Sequence, residues 1–191
     1  MKLLWMDIET TGLIPQVCNI LEICALTSDI EDPFATTNGY NMVLGCSVPV
    51  HTLHPKVQDM HNTSGLFEEC RRSNVTLEEA EQYIIHQLLP KNAHELPIEE
   101  KVTLAGSSVS FEKKFIDYHM PQLAACLHYR LYDVSSIKLF CRSLGMSNIE
   151  SSQVHRAEAD LRHSIGIAVE CERWLAHDYP STNRGLMHKS Y

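Results

Sequence analysis

Basic residues are scarce in this 191-residue chain: 16 Lys and Arg stand against 24 Asp and Glu, a formal net charge of −8. Grip on a long nucleic-acid polymer normally rests on a basic face that neutralises several phosphates. No run of Lys or Arg supplies one, which argues against a duplex-binding protein and restricts any nucleic-acid substrate to a short one, held by local pockets and metal ions. Long apolar runs are missing as well. None approaches the ~20 residues that cross a bilayer as a helix, and the opening residues have neither the basic region and small-residue cleavage site of a signal peptide nor the Arg/Ser-rich amphipathic character of a transit peptide, so a cytoplasmic location without membrane attachment is expected. Paired cysteines are absent: Cys18, Cys24, Cys46, Cys70, Cys126, Cys141 and Cys171 are odd in number and scattered, with no C-x-x-C. That excludes a disulfide framework and a structural zinc site as the organising principle, and fits a reducing compartment. Internal repeats are missing too. A hydrophobic content of 44% with 21% charged residues predicts one globular domain, over residues 1–180, followed by a polar tail at 181–191.

What is present begins at the first strand, Lys2-Leu3-Leu4-Trp5-Met6-Asp7-Ile8-Glu9-Thr10-Thr11-Gly12-Leu13. An apolar run ends in two carboxylates spaced i, i+2, and alternation along a strand points Asp7 and Glu9 to the same side. Like charges at the end of a buried strand repel and resist desolvation; a divalent cation relieves both. An edge strand with exposed acids explains the stretch equally well when it is taken alone.

Further along, residues 19–27 and 41–48 read as two more strands, with turns at Glu31-Asp32-Pro33 and Asn38-Gly39. A His/Asn/Ser/Gly-rich loop is expected at His61–Leu66. Thr76-Leu77-Glu78-Glu79 has capping-box form and opens a helix to about Leu89, with Leu77, Ala80, Ile84 and Leu88 on one stripe. Lys101–Gly106 reads as a strand, followed by a helix from about Ser110 and a short one from Pro121. A strand at 131–134 leads to a helix capped by Ser135 or Ser136, a loop spans 145–155, and a last helix runs from about Ala157 to His177. The pattern predicts an α/β fold, a mixed five-stranded sheet flanked by helices, of the ribonuclease-H-like kind.

Three more residues belong with the opening acids. Glu112 falls in the first turn of the helix after Gly106-Ser107-Ser108, and Asp160 in the first turn of the last helix. His155 stands five residues earlier. On one continuous helix positions i and i+5 lie about 140° apart, so His155 shares a site with Asp160 only if it sits on the preceding loop.

Asp7-x-Glu9-Thr10-Thr11-Gly12-Leu13, Ser110-Phe111-Glu112-x-x-Phe115 and His155-Arg156-Ala157-x-x-Asp160 together resemble the DEDD-type 3′–5′ exonucleases of the His-containing subclass. His61-x-x-Ser64-Gly65-Leu66, Lys113 to Pro121, His128-Tyr129-Arg130 and Asp133 to Lys138 narrow the resemblance to the oligoribonuclease family, over roughly residues 2–175. The resemblance implies a two-metal phosphodiester hydrolase acting on very short oligoribonucleotides and releasing nucleoside 5′-monophosphates. Asp7, Glu9, Glu112 and Asp160 would hold two divalent cations, Mg²⁺ or Mn²⁺, and His155 would be the base that deprotonates water. It further implies a cap for the substrate's terminal phosphate at His61, Ser108, Arg130 and Ser135, a homodimer whose partner contributes His128 and Tyr129 in trans, and a wedge between bases at Leu13.

The chain departs from that family at three places. Glu112 stands where the family has Asp, and is one methylene longer. The stacking Trp expected before His61 is missing, with Met60 as a weaker substitute. Ser107 and Thr10 replace the family's usual Asn and Met. Two other readings therefore stand beside the first: a general 3′–5′ exonuclease of proofreading or RNA-trimming type, and a nucleotide-binding relative impaired by Glu112.

Overall fold

The computed structural model describes residues 2–29, 31–36, 39–149 and 154–178. Five strands form one sheet: β1 (Lys2–Thr10), β2 (Ile20–Asp29), β3 (Tyr40–Val43), β4 (Val102–Gly106) and β5 (Leu127–Asp133). Their order is β3-β2-β1-β4-β5. β1 pairs antiparallel with β2 and β2 with β3, whereas β4 is parallel to both β1 and β5. Parallel neighbours need long crossovers, and helices supply them. α1 (Pro55–Thr63), α2 (Leu66–Arg72) and α3 (Leu77–Leu88) connect β3 to β4, and α4 (Ser110–His119) with α5 (Pro121–Cys126) connects β4 to β5. α6 (Val134–Ser143) and α7 (Ala157–Arg173) close the fold.

Burial on both faces explains why β1 and β2 read as nearly continuous apolar runs. Leu4, Met6 and Ile8 pack with Ala80, Ile84, Phe115 and Leu123 on one side of the sheet. Leu3 and Trp5 pack with Val134, Cys141, Leu161 and Ala168 on the other. Strand alternation then continues the Leu3–Trp5 series into Asp7 and Glu9, toward α6 and α7. The mixed sheet flanked by helices agrees with the expected fold class. No helix among the described residues is long and apolar enough to cross a membrane.

Several expected boundaries change. β3 stops at Val43 rather than residue 48: Leu44 N–H still donates to Leu21 on β2, but the next amides turn to other partners, Gly45 to Val75 and Cys46 to Cys70. A Cβ at Gly45 would lie 2.6 Å from the Ser73 carbonyl oxygen, so the chain leaves the sheet by a close backbone approach. The expected loop at His61–Leu66 is instead the junction of two helices, broken at Gly65 in the left-handed region (φ 75°). β5 starts at Leu127, so His128, Tyr129 and Arg130 belong to a strand. Asp133, not Ser135 or Ser136, caps α6 by accepting from the Ser135 amide. The last helix is α-helical to Arg173 and ends in a π-helical turn over Trp174–Asp178. The capping box of α3 is present as expected. The tail at 181–191, Asn38 of one turn and residues 150–153 of one loop lie outside the described residues.

Candidate active site

β1 delivers Asp7 and Glu9 to the end of the sheet, where the ladder with β2 is irregular between Glu9 and Thr10. The turn that follows is pinned locally. Thr11 N–H donates to the Asn19 carbonyl and Asn19 N–H to Thr11 Oγ1, both at 2.9 Å, while Thr10 Oγ1 donates to the Gly12 carbonyl at 2.7 Å. Leu13, just beyond, is 79% exposed and lines a cleft of about 1010 Å³ together with Asp7, Glu9, Glu112, His155 and Asp160.

Burial and mutual repulsion act on these carboxyls in the same direction. Asp7 is pushed up to about 9, first by burial and then by the charges of Glu112, Glu9, Asp160 and Glu22. Glu9 is pushed up to about 8 by burial, Asp160 and Glu22, with Arg156 opposing. Glu112 is raised to about 8, again mainly by burial, with Asp133 and Glu9 adding to it. Glu112 is 5% exposed, and its Oε2 is buried with no hydrogen-bond partner among the described residues. Its charge is the largest coulombic influence on Asp7, so the extra methylene does not carry the carboxyl away from the site. Asp117 is exposed and ion-paired with Lys113.

His155 sits on the loop before α7, as required, in the left-handed region at φ 57°. Asp160 accepts from the Val154 amide at 2.9 Å and the His155 amide at 3.1 Å, which fixes the turn carrying the imidazole. Ligand atoms of Glu9, His155 and Asp160 lie within 4.8 Å of one another. A set of carboxylate oxygens held above their usual range, one of them orphaned, is what a hard divalent cation satisfies: it replaces protons and cancels the repulsion. The residues present fit such an ion.

The remaining expected site residues divide. Ser108 and Ser135 come together, their hydroxyls 3.0 Å apart, because Asp133 Oδ1 accepts both of their amides, at 3.0 and 2.9 Å. Both line the cleft, as do Met60 and Lys138. His61 does not. Its ring is fully buried, edge-on to Phe67, with Nε2 2.9 Å from the Thr10 carbonyl, and burial lowers its pKa. As a neutral ring donating from Nε2 to Thr10, 3.9 Å from Glu9 Oε2, it buttresses the strand that carries Glu9; its Nδ1 is buried with no hydrogen-bond partner among the described residues. His128, Tyr129 and Arg130 also lie outside the cleft wall of their own chain. His128 is buried and accepts the Arg130 amide at 2.9 Å. Tyr129 stacks on it at 4.4 Å, with the Arg130 guanidinium 5.1 Å above the Tyr129 ring.

Three contributors escaped the sequence reading. His163, one turn beyond Asp160 on α7, lines the cleft with Nε2 buried and unpartnered among the described residues; its i+3 spacing from Asp160 was the available signal. Buried Glu22 pairs with the partly exposed Arg156 behind the acids; a lone acid inside the apolar run of β2 marked Glu22.

The Exonuclease family model (RNase_T) matches residues 4–168. The oligoribonuclease of Nocardia farcinica is 38% identical over 166 residues, covering 84% of this chain and 74% of that protein. The oligoribonuclease of Rhodococcus jostii is 38% identical over 169 residues, covering 86% and 82%. Among solved structures, exonuclease I of Methylocaldum szegediense superposes with TM-score 0.64 at 15% identity over 93% of this chain, and zinc-bound E. coli exonuclease I in complex with single-stranded DNA with TM-score 0.62 at 15% identity over 93%. The chain spans 41% of each exonuclease I chain, and at that identity the likeness shows the ribonuclease-H-like fold.

Proposed function

The chain belongs to the exonuclease family, among relatives named oligoribonucleases, and from that premise we propose that it hydrolyses very short oligoribonucleotides from the 3′ end to nucleoside 5′-monophosphates. The observation that carries this reading is the cluster of Asp7, Glu9 and Glu112, their carboxyls held far above the ordinary range beside His155 and Asp160. Asp7, Glu9, Glu112 and Asp160 would hold two divalent cations, Mg²⁺ or Mn²⁺. Bound there, the ions supply Lewis-acid charge to the phosphate and acidify the attacking water.

The chain's own groups do the rest. The His155 imidazole takes the proton of the attacking water, its loop fixed by the two amide bonds to Asp160. The water oxygen bonds to phosphorus as the P–O3′ bond breaks, and the leaving O3′ takes a proton from solvent, which leaves a 5′-monophosphate and a 3′-hydroxyl on the shortened chain. Exposed Leu13 and Ile14 offer apolar surface to the bases, and the Ser108–Ser135 hydroxyl pair offers donors to a phosphate oxygen.

Short substrates suit this site. Ligand pockets run up to about 1,000 Å³, so the cleft is a chamber for a small ligand, and a chain of net charge −8 has no surplus cation for a long polyanion. The residues His128, Tyr129 and Arg130 on edge strand β5 lie outside their own cleft, which supports a homodimer in which a second copy receives them. Seven free thiols support a reducing, cytoplasmic setting.

The test is hydrolysis of an end-labelled RNA dinucleotide and of a long strand, with Mn²⁺. The dinucleotide is expected to turn over much faster, and His155→Ala to cut that turnover by about 10²–10⁴-fold with the fold intact. Equal rates on the long strand would give the general exonuclease, and binding without cleavage an impaired relative.

A further inference from the structure

Directly behind the proposed base lies a charged knot that the chemistry described above does not use. Arg156, the residue after His155, is held from two sides. Its Nε and Nη2 donate to the two oxygens of Glu22 at 3.1 and 3.0 Å. Its Nη1 and Nη2 donate to the two oxygens of Glu69 at 2.8 Å each. Glu22 is fully buried on β2, directly opposite Glu9 in the β1–β2 ladder. It also accepts the Ala157 amide at 3.0 Å and the Asn41 side-chain amide at 2.7 Å. Glu69 sits half-exposed on α2.

The residues on either side of the base are therefore tethered in succession. Val154 and His155 give their amides to Asp160, Arg156 gives its fork to Glu22 and Glu69, and Ala157 gives its amide to Glu22. Between them, His155 occupies a left-handed conformation (φ 57°) that a residue with a side chain adopts only when its surroundings impose it. A guanidinium suits this task because its planar donors match two carboxylates at once, which a lysine ammonium cannot do. The knot also reaches the far wall of the cleft. Glu69 belongs to α2, which packs beside α1, and α1 contributes Val57 and Met60 to the lining.

We propose that Arg156 is a positioning residue for the reaction, its guanidinium clasping Glu22 and Glu69 so that His155 is held at Glu9 and Asp160. The proposal rests on His155 being the base, and a double-variant cycle tells the two ideas apart. Steady-state kinetics on an RNA dinucleotide with saturating Mn²⁺ would be measured for the full chain, Arg156→Met, His155→Ala and the pair combined, with circular dichroism and melting on each. Displacing a catalytic group by an ångström costs on the order of 10²-fold. Arg156→Met is expected to lower kcat by that factor with KM little changed, and to add no further loss once His155 is gone; Arg156→Lys should recover only part of the rate.

Equal loss from Arg156→Met in the presence and absence of His155 would overturn the positioning role and leave the base assignment standing. Undiminished activity of His155→Ala would remove the base assignment, and this proposal with it. Should Arg156→Met fail to fold, Glu69→Gln removes one arm at a half-exposed position. It is expected to lower kcat several-fold at unchanged melting temperature, and only while His155 is present; a wild-type kcat would overturn the proposal.

Discussion

Glu9 and Glu22 face each other across one rung of the β1–β2 ladder, and both are buried, yet they meet opposite fates. Glu22 receives an arginine fork, a backbone amide and an asparagine amide. Glu9 lies among Asp7, Asp160 and Glu112, its carboxyl pushed up to about 8. The fold can satisfy a buried carboxylate here, and does so one strand away. What sets the end of β1 apart is a buried carboxyl crowded by others of its own sign, with only the buried His61 ring 3.9 Å away, and the matched pair behind it is scaffolding. Buried charge by itself does not mark a site; buried charge without a partner does.

Reversing the two fates is the most severe way to break this contrast. Asp7→Asn is expected to remove turnover by orders of magnitude while raising the melting temperature of the metal-free protein at pH 8, because folding no longer has to protonate a buried carboxyl that the unfolded chain ionises. Glu22→Gln is expected to do the opposite to stability, lowering the melting temperature, because it removes the carboxylate that accepts the Arg156 fork and the Ala157 amide. Dinucleotide assays and thermal melts on both variants check it; parallel losses of stability would erase the distinction.

Titration sharpens the same contrast at smaller amplitude. Asp7, Glu9 and Glu112 have folded values of about 9, 8 and 8 against ordinary values of 3.8, 4.5 and 4.5. Raised carboxyls hold protons in the folded state that the unfolded chain has released. Their contribution to stability is fully present below about pH 4 and is lost as pH rises through about 8 to 9. Melts in EDTA should therefore fall across that window, and Mn²⁺ should restore stability on the alkaline side, by about 2.7 kcal/mol at a hundredfold excess over Kd. The smallest effect is expected from Glu112→Asp. The shortened carboxyl still faces Asp7, so turnover with Mn²⁺ should stay within the same order of magnitude; a collapse would mean that the neighbouring groups are spaced for the longer side chain.

Local pattern carried a good part of this molecule. Strand alternation alone put Asp7 and Glu9 on one side, and helix angles alone required His155 to sit on a loop, which it does. α1 and α2 escaped because Pro55–Thr63 carries few apolar residues and its junction with α2 depends on a single left-handed glycine, Gly65. His61 was assigned to a phosphate by its place in a motif, whereas its environment is set by Thr10 and Phe67, contacts that no spacing reveals. The clasp between Arg156 and Glu22 joins residues 134 positions apart. Glu22 stands out as an acid inside an apolar run, but nothing in either stretch names its partner, and only the fold makes them neighbours.

The carboxylate-lined cleft also governs how a substrate arrives. Without divalent cations and above about pH 9, a phosphodiester approaching the mouth would meet charge of its own sign, on a chain whose net charge is already −8. Encounter is therefore uphill at low ionic strength and eases as salt screens the field, the reverse of the usual behaviour of proteins that ride along nucleic acid. Each additional phosphate on the strand adds to that opposition. Cation binding is what would lift that opposition, so the metal would act on a substrate's approach as well as on its cleavage.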